Sequence, residues 1–513
     1  MSIKVDAKHS PGWWMVKLSE KLAGRQDRLN KLARYHDGDP PLPEGADAAK
    51  SAYQAFQKKA RTNFAELIVG AVRERCSVRS IRTSADNSVK GDATAWQIWK
   101  DNGLDVEFAD VLENMLALGD AYTITGYDDE TQKPIITGED PRQVVTIHNP
   151  ARQSEVRGAL KMFHDPEEGR DYAYLYLPGM RYVAFVDNES AESSPAFDPE
   201  SWAWDEESGG DAGEAIPGEV VPVVRYRNRR GIGVFETHID VLDRINHMLL
   251  QRMVIATMQA FRQRAIFVDP KDMPELDEDG NEIDYDAILS ADPGSVWKLP
   301  LTSKLWESGQ VDLQGILSGI KDDVHHLAAV TRTPVSMLSP ESANQSATGA
   351  TMVKEGLIFK CEDVITRATA ALAQTFSYAF LFSGDEKRSD KAGIEIEWYP
   401  TERYSLAEKY DAASKAATAN EPEESIWSGV LQKNPEQIEQ MKAARMDQAM
   451  LVPTAGEGLT PIEAAEALIK KAEAMGTLIR AGATPEDAAT LAGLEGLTFR
   501  PGGPVTWKSE DGA

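Results

Sequence analysis

The sequence predicts an α+β fold, with helices first, strands in the middle and long helices again after them. Three observations carry the prediction. In the N-terminal part apolar side chains recur at helical spacing, as in Phe56, Ala60, Phe64, Leu67, Ile68 and Ala71. Between Ala121 and Val186 short runs alternate β-branched and aromatic residues and are bounded by Asp, Gly and Pro. From Glu236 to Arg262 neither Gly nor Pro occurs, so one long helix can run uninterrupted. The 513 residues are 42% hydrophobic and 27% charged, an ordinary globular composition with chain for about three or four folding units.

Taken in order, Met15 to Leu32 is loosely helical, and the prolines at 40, 41 and 43 in "DGDPPLPEG" end it. Phe56 to Val72 reads as one further helix, and Trp96, Trp99, Phe108, Val111, Leu112, Met115 and Leu116 mark helical faces on either side of "DNGLD". "AYTITGY", "QVVTIH", "AYLYL" and "RYVAFV" are strands. Asp187 to Glu219 then carries eleven carboxylates and no Lys or Arg, which predicts a solvated loop. "VVPVVRYRN" is another strand. In the long helix, Ile239, Leu242, Leu249, Met253, Ala256 and Ala260 form one apolar row, and Val241, Ile245, Met248 and Ile255 form a second. Such a helix has neighbours on two sides. A second helix, Asp312 to Thr331, places Leu313, Ile316, Leu317, Ile320, Val324 and Leu327 on one face. Between them "AIFV" and "SVWKLPL" flank an acidic turn. After "TPVSMLSPESANQSATGA" a helix runs to Phe382, and "GIEIEWYP" is a strand. Ser405 with Glu408, and Thr460 with Glu463, fit helix-starting capping boxes.

Net charge is −27, from 55 Lys and Arg against 82 Asp and Glu. That balance argues against tight, static DNA binding, which needs clustered cations to displace counterions. An acidic wall suits DNA that must slide. The two cysteines, Cys76 and Cys361, have no CxxC or Cys/His ligand spacing, so buried thiols are expected rather than a disulfide or zinc framework. No run is long and apolar enough to span a membrane. The chain has no phosphate-cradling GxxxxGK[ST], no HExxH and no GxSxG. "RRGIGVFE" has only Gly231 and Gly233, so tight entry into the helix is the plainer reading than a phosphate loop. Adjacent His325 and His326 point about 100° apart and do not suit one metal ion.

In "PELDEDGNEIDYD", Glu275, Asp277, Asp279, Gly280 and Asp286 fit positions 1, 3, 5, 6 and 12 of a calcium-loop register. Glu275, Asp277 and Asp279 are thus weak metal candidates, and an acidic hairpin turned at Asp279-Gly280 is the default. Arg225, Arg227, Arg229 and Arg230 form the main basic cluster, read as inter-subunit salt bridges before phosphate contacts. Trp13/Trp14 and Trp202/Trp204 could dock a partner or pack locally.

Several segments, in order, resemble the portal proteins of tailed bacteriophages. They are "LARYHDGDPPLP", "FAELIVGAVRERCSVRSIRT", "TPVSMLSPESANQSATGA" and, most specific, "AWQIWKDNGLDVEFADVLENMLALGDAYTITG", with Trp96, Trp99, Asn102, Leu104, Asp105, Gly119, Asp120 and Ala121 in the family's order. The resemblance covers most of the chain up to about residue 400. It implies a wing at 1–235, a first stem helix at 236–262, a clip at 263–311 and a second stem helix at 312–332. A tunnel loop would follow at 333–350, then a wing helix and strand at 351–404 and a helical crown and tail at 405–513.

The resemblance also implies a homo-oligomeric ring, usually of twelve subunits, at one vertex of the capsid in the virion, assembled in the host cytoplasm. Double-stranded DNA would pass through it in packaging and ejection without sequence specificity. Partners would be major capsid and scaffolding proteins, a terminase, and head-completion or tail adaptor proteins, with no cofactor, no catalytic residue and no membrane. Stem packing would fall to Ile239, Leu242, Leu249, Met253, Leu313, Ile320, Val324 and Leu327, and the clip turn to Asp277, Asp279 and Gly280. Ser339, Ser342, Asn344, Gln345, Ser346 and Thr348 would face DNA. The alternatives are a minor capsid or head-completion protein, or a metal- or nucleotide-dependent hydrolase.

Overall fold

The computed structural model describes residues 3–5, 7–43, 51–86, 91–189, 196–260, 264–269, 303–307, 312–339, 347–402 and 404–451, with isolated positions at 271, 282–284, 309, 471, 475, 484, 488 and 489. The chain forms two units, Met1–Ile438 and Glu439–Ala513.

The first unit opens with helices α1 (Pro11–Ala23) and α2 (Gln26–His36). Ser10 starts α1 by accepting from the Trp13 amide at 3.2 Å, with Pro11 at the first turn where its missing N–H costs nothing. The expected single helix from Met15 to Leu32 is therefore two, broken at Gly24 and Arg25. The expected helix from Phe56 to Val72 is also two, α3 (Ser51–Lys59) and α4 (Phe64–Arg73). The break has a local cause: the Asn63 side chain accepts from the Glu66 amide and caps α4 afresh. Strand β1 (Val78–Arg82) and helices α5 (Ala93–Asp101) and α6 (Leu104–Leu118) follow.

Gly119, at φ +91°, stops α6, and the chain passes directly into β2 (Asp120–Asp128). Strands β3 (Lys133–Glu139), β4 (Val144–Asn149), β5 (Arg152–Asp165), β6 (Arg170–Leu177), β7 (Met180–Asp187), β8 (Ala203–Trp204), β9 (Glu214–Ala215) and β10 (Val223–Arg227) complete the β region. Order β4-β5-β6-β7-β8, with β9 on β7, makes one antiparallel sheet; β10-β2-β3 makes another. The expectation of a purely solvated loop from Asp187 to Glu219 needs correcting. Trp202 and Trp204, 1% and 4% exposed, insert into the core under α1 beside Met15, Leu18 and Leu160, so these indoles pack locally rather than dock a partner.

Helix α7 (Ile239–Ala260), strands β11 (Arg264–Phe267) and β12 (Lys304–Glu307), and helix α8 (Gln314–Thr331) come next. The partner of β11 is β12, whereas "SVWKLPL" lies outside the described residues. Helix α9 (Ala347–Phe382) crosses the unit, and β13 (Glu395–Trp398) pairs antiparallel with β1. Ser405 and Glu408 form the expected capping box of α10 (Leu406–Thr418). The largest core joins α2, α4, α5, α6, β2, β10, α7, α8 and α9, with Phe235, Ile245, Leu327, Phe376 and Cys361 all fully buried.

The second unit is described through residue 451 as the remainder of α11 (Pro435–Leu451). Beyond it, the Ala488 amide donates to the Thr484 carbonyl at 2.9 Å. Thr460 and Glu463 lie outside the described residues.

Candidate functional site

α7 and α8 lie side by side. The Arg244 guanidinium donates to Asp323 at 2.7 and 3.0 Å, while Met248 stands against Gly319. Residues advancing on one helix meet residues retreating on the other, so the pair is antiparallel. A Cβ at Gly319 would lie 3.6 Å from the Met248 methyl, in ordinary van der Waals contact.

The start of α7 is clamped. The Arg28 side chain donates to Glu236 at 2.7 and 2.5 Å and to the Gly231 carbonyl at 2.9 Å. Glu236 in turn accepts from the Gly233 amide at 2.8 Å. The Tyr35 hydroxyl donates to Asp243 at 2.6 Å; burial and that bond together push its pKa upward. Asn246, 3% exposed, accepts from the Thr62 amide at 3.0 Å. Below this, buried Asp120 is gripped by Arg25 at 2.8 Å and by Arg225 at 2.8 and 2.9 Å. Arg225 thus pairs within its own chain. "RRGIGVFE" is a packing element: a Cβ on Gly233 would sit 2.2 Å from the Ala117 carbonyl oxygen.

The far end of α8 is closed by Arg332 in the left-handed region, φ +54°, with its amide donating to Ala328 and Ala329 carbonyls. The Lys360 ammonium donates to the Thr331 carbonyl at 3.0 Å. A cation at a helix C-terminus is favourable, but burial dominates here and pulls the Lys360 pKa down to about 8. One helical turn (Val335–Leu338) leads on from α8.

Of the expected stem-packing residues, Leu242, Ile320, Val324 and Leu327 are buried, while Ile239, Leu249, Met253 and Leu313 are half-buried. The sequence reading missed Leu250, 1% exposed. Its row is 242, 246, 250 at i, i+4, i+8, and the polar Asn246 in the middle hid it. Ser339 is half-buried, and Thr348 lies within α9 rather than in a loop, because the helix begins at Ala347. Ser342, Asn344, Gln345, Ser346, Glu275, Asp277, Asp279 and Gly280 lie outside the described residues. Among the described residues no His, Cys, Asp and Glu group could hold a metal ion, and no helix is long and apolar enough to cross a membrane. His325 and His326 are both exposed.

A family model described as "Phage portal protein, SPP1 Gp6-like" matches residues 17–450, from within α1 to within α11. No curated protein matches the chain. Among solved structures it is similar to a chain in the neck of an empty GTA particle, at 13% identity and TM-score 0.43, over 80% of this chain and 94% of that one. It is similar also to a chain in the virion of a native gene transfer agent particle, at 12% identity and TM-score 0.42, over 79% and 99%. A third is an HK97 family phage portal protein from Corynebacterium diphtheriae, at 12% identity and TM-score 0.33, over 68% and 92%. The family match spans most of the sequence, and the chain belongs to the SPP1 Gp6-like family of phage portal proteins. That family is structural rather than enzymatic.

Proposed function

We propose that this portal protein assembles as a homo-oligomeric ring of twelve copies at one capsid vertex. Double-stranded DNA is packaged and ejected through its centre. α7 and α8 are its two stem helices, the segment between them its clip, and the 333–350 segment its tunnel loop. Terminase docks first, and head-completion or tail proteins replace it. The observation that carries this reading is the family match across residues 17–450, which includes both long helices and every element clamping them.

The surface of the pair supports it. Ile239, Leu249, Met253 and Leu313 are only half covered by their own chain, which leaves apolar area for a neighbour. The net charge of −27 suits a wall along which a phosphate backbone slides without sticking. The test is particle mass with images of the same sample. Twelve 56.4 kDa chains give about 677 kDa and a ring with a central hole. A compact monomer under all conditions, including with capsid and scaffolding proteins added, overturns the reading.

A further inference from the structure

Two oppositely charged, exposed surfaces lie on either side of β10 in the sequence. At its C-terminal end Arg227 is exposed and makes no hydrogen bond or ion pair among the described residues. Arg229 and Arg230, also exposed, follow in the next turn. Cations crowd behind them. The Arg227 Nε and an Arg225 Nη both converge on the Gly231 turn, 3.3 and 3.6 Å from where its Cβ would be. The Lys21 ammonium is held below its ordinary pKa, first by burial and then by Arg225, Arg25 and Arg227. The two carboxylates in this group are already engaged, Asp120 by Arg25 and Arg225 and Glu236 by Arg28. The surface therefore carries net positive charge on a chain of net −27.

The segment before β10 is the reverse. Glu219 precedes the strand, and Glu206, Glu207 and Asp211 lie in the segment fastened beside β7 by the Arg181–Glu214 pair and the Asp205 amide. All four are exposed and without an ion pair among the described residues. β10 itself, five residues or about 13 Å long, keeps Glu219 out of reach of Arg227. Among the described residues no ion pair joins either group to the other within the chain.

We infer that they meet between chains: the Arg227–Arg230 turn of one copy docks against Glu206, Glu207, Asp211 and Glu219 of the next. A head-to-tail contact needs two different, complementary patches on one subunit, and repetition of such a contact is what closes a ring. The inference rests on the ring reading above. An acidic protein surface is favoured over a phosphate backbone as the occupant, because every copy brings its own four exposed carboxylates, Glu206, Glu207, Asp211 and Glu219, at matching stoichiometry.

The test is charge reversal and re-reversal in the full chain, read by native mass and sedimentation at low salt. Arg227→Glu with Arg229→Glu and Arg230→Glu should lower the assembled fraction about tenfold, and so should Glu206→Arg with Glu207→Arg and Asp211→Arg. Equal mixing of the two reversed chains, or all six changes in one chain, should recover assembly. Circular dichroism confirms that each variant is folded, since all six positions are exposed. Assembly insensitive to both reversals overturns the pairing and leaves the ring standing. Loss in each without recovery overturns it as well, as does an arginine variant that assembles normally but loses binding to a short DNA duplex. A wild-type chain that never associates overturns the ring and this contact together.

Discussion

Asp92 shows how much a single buried carboxylate can hold. It caps α5 through the Thr94 amide at 2.8 Å, accepts from Thr83 at 2.5 Å and pairs with Arg388 at 2.6 Å. Burial alone would raise its pKa, but the bonds from Thr83 and Arg388 outweigh burial and leave it below the ordinary value. A depressed folded pKa contributes stability that is fully present above the unfolded value and lost as pH falls through the folded one. Denaturant midpoints should therefore fall below about pH 4 more steeply in the wild type than in Asp92→Asn, which costs about 1–3 kcal/mol at neutral pH. Lys360 has the opposite sign to a paired lysine. Its folded pKa, about 8, lies below the ordinary 10.5, so the unfolded chain binds more protons between those values and stability rises with pH there. Lys360→Met should lack that rise, on the order of 2 kcal/mol, in denaturation at pH 8 against pH 10. Gly233→Ala drives a Cβ towards the Ala117 carbonyl and should cost about 1–3 kcal/mol, seen as a lowered Tm.

At the scale of the element, α7 and α8 divide their apolar residues between two duties. Val324 and Leu327 share the face expected to bear on ring assembly, yet both lie inside the chain's own core, 7% and 0% exposed. Leu327→Asp buries an unpaired charge and should unfold the subunit before any assembly can be read. Met253→Asp, at a half-covered position, should keep the native circular dichroism spectrum and lower the assembled fraction in sedimentation. A folded Leu327→Asp chain would show the packing to be misread. Sequence periodicity found both helices but could not separate these duties, because an apolar stripe looks the same whether its own chain or a neighbour covers it. The breaks at Gly24 and Asn63 were equally hard to read, since tertiary packing decides whether a marginal helical pattern continues. Strands β3 and β5 went unnamed, because Gly138 and Gly158 and the charged runs around Arg152 and Glu155 blur their alternation.

For the whole molecule, composition and order of textures already spoke for an α+β chain without metal, redox or nucleotide motifs. The segments around Trp96 to Gly126 carried the family resemblance, which the match over residues 17–450 established. The sequence by itself determined where helices and strands can form, because periodicity, caps and turn residues are local. It also determined the charge, including the all-acidic stretch from 187 to 219. Only the tertiary structure decided which charges are spent inside the chain. Arg225 is taken by Asp120, 105 positions away, while Arg227, two residues on, has no ion-pair partner among the described residues. It also brought Cys361 against the Val72 carbonyl at 4.0 Å, near Cys76, where a hydrogen bond between the thiols and burial raise the Cys76 pKa. Such pairings depend on distances through space between residues far apart in the chain, and no local pattern encodes them.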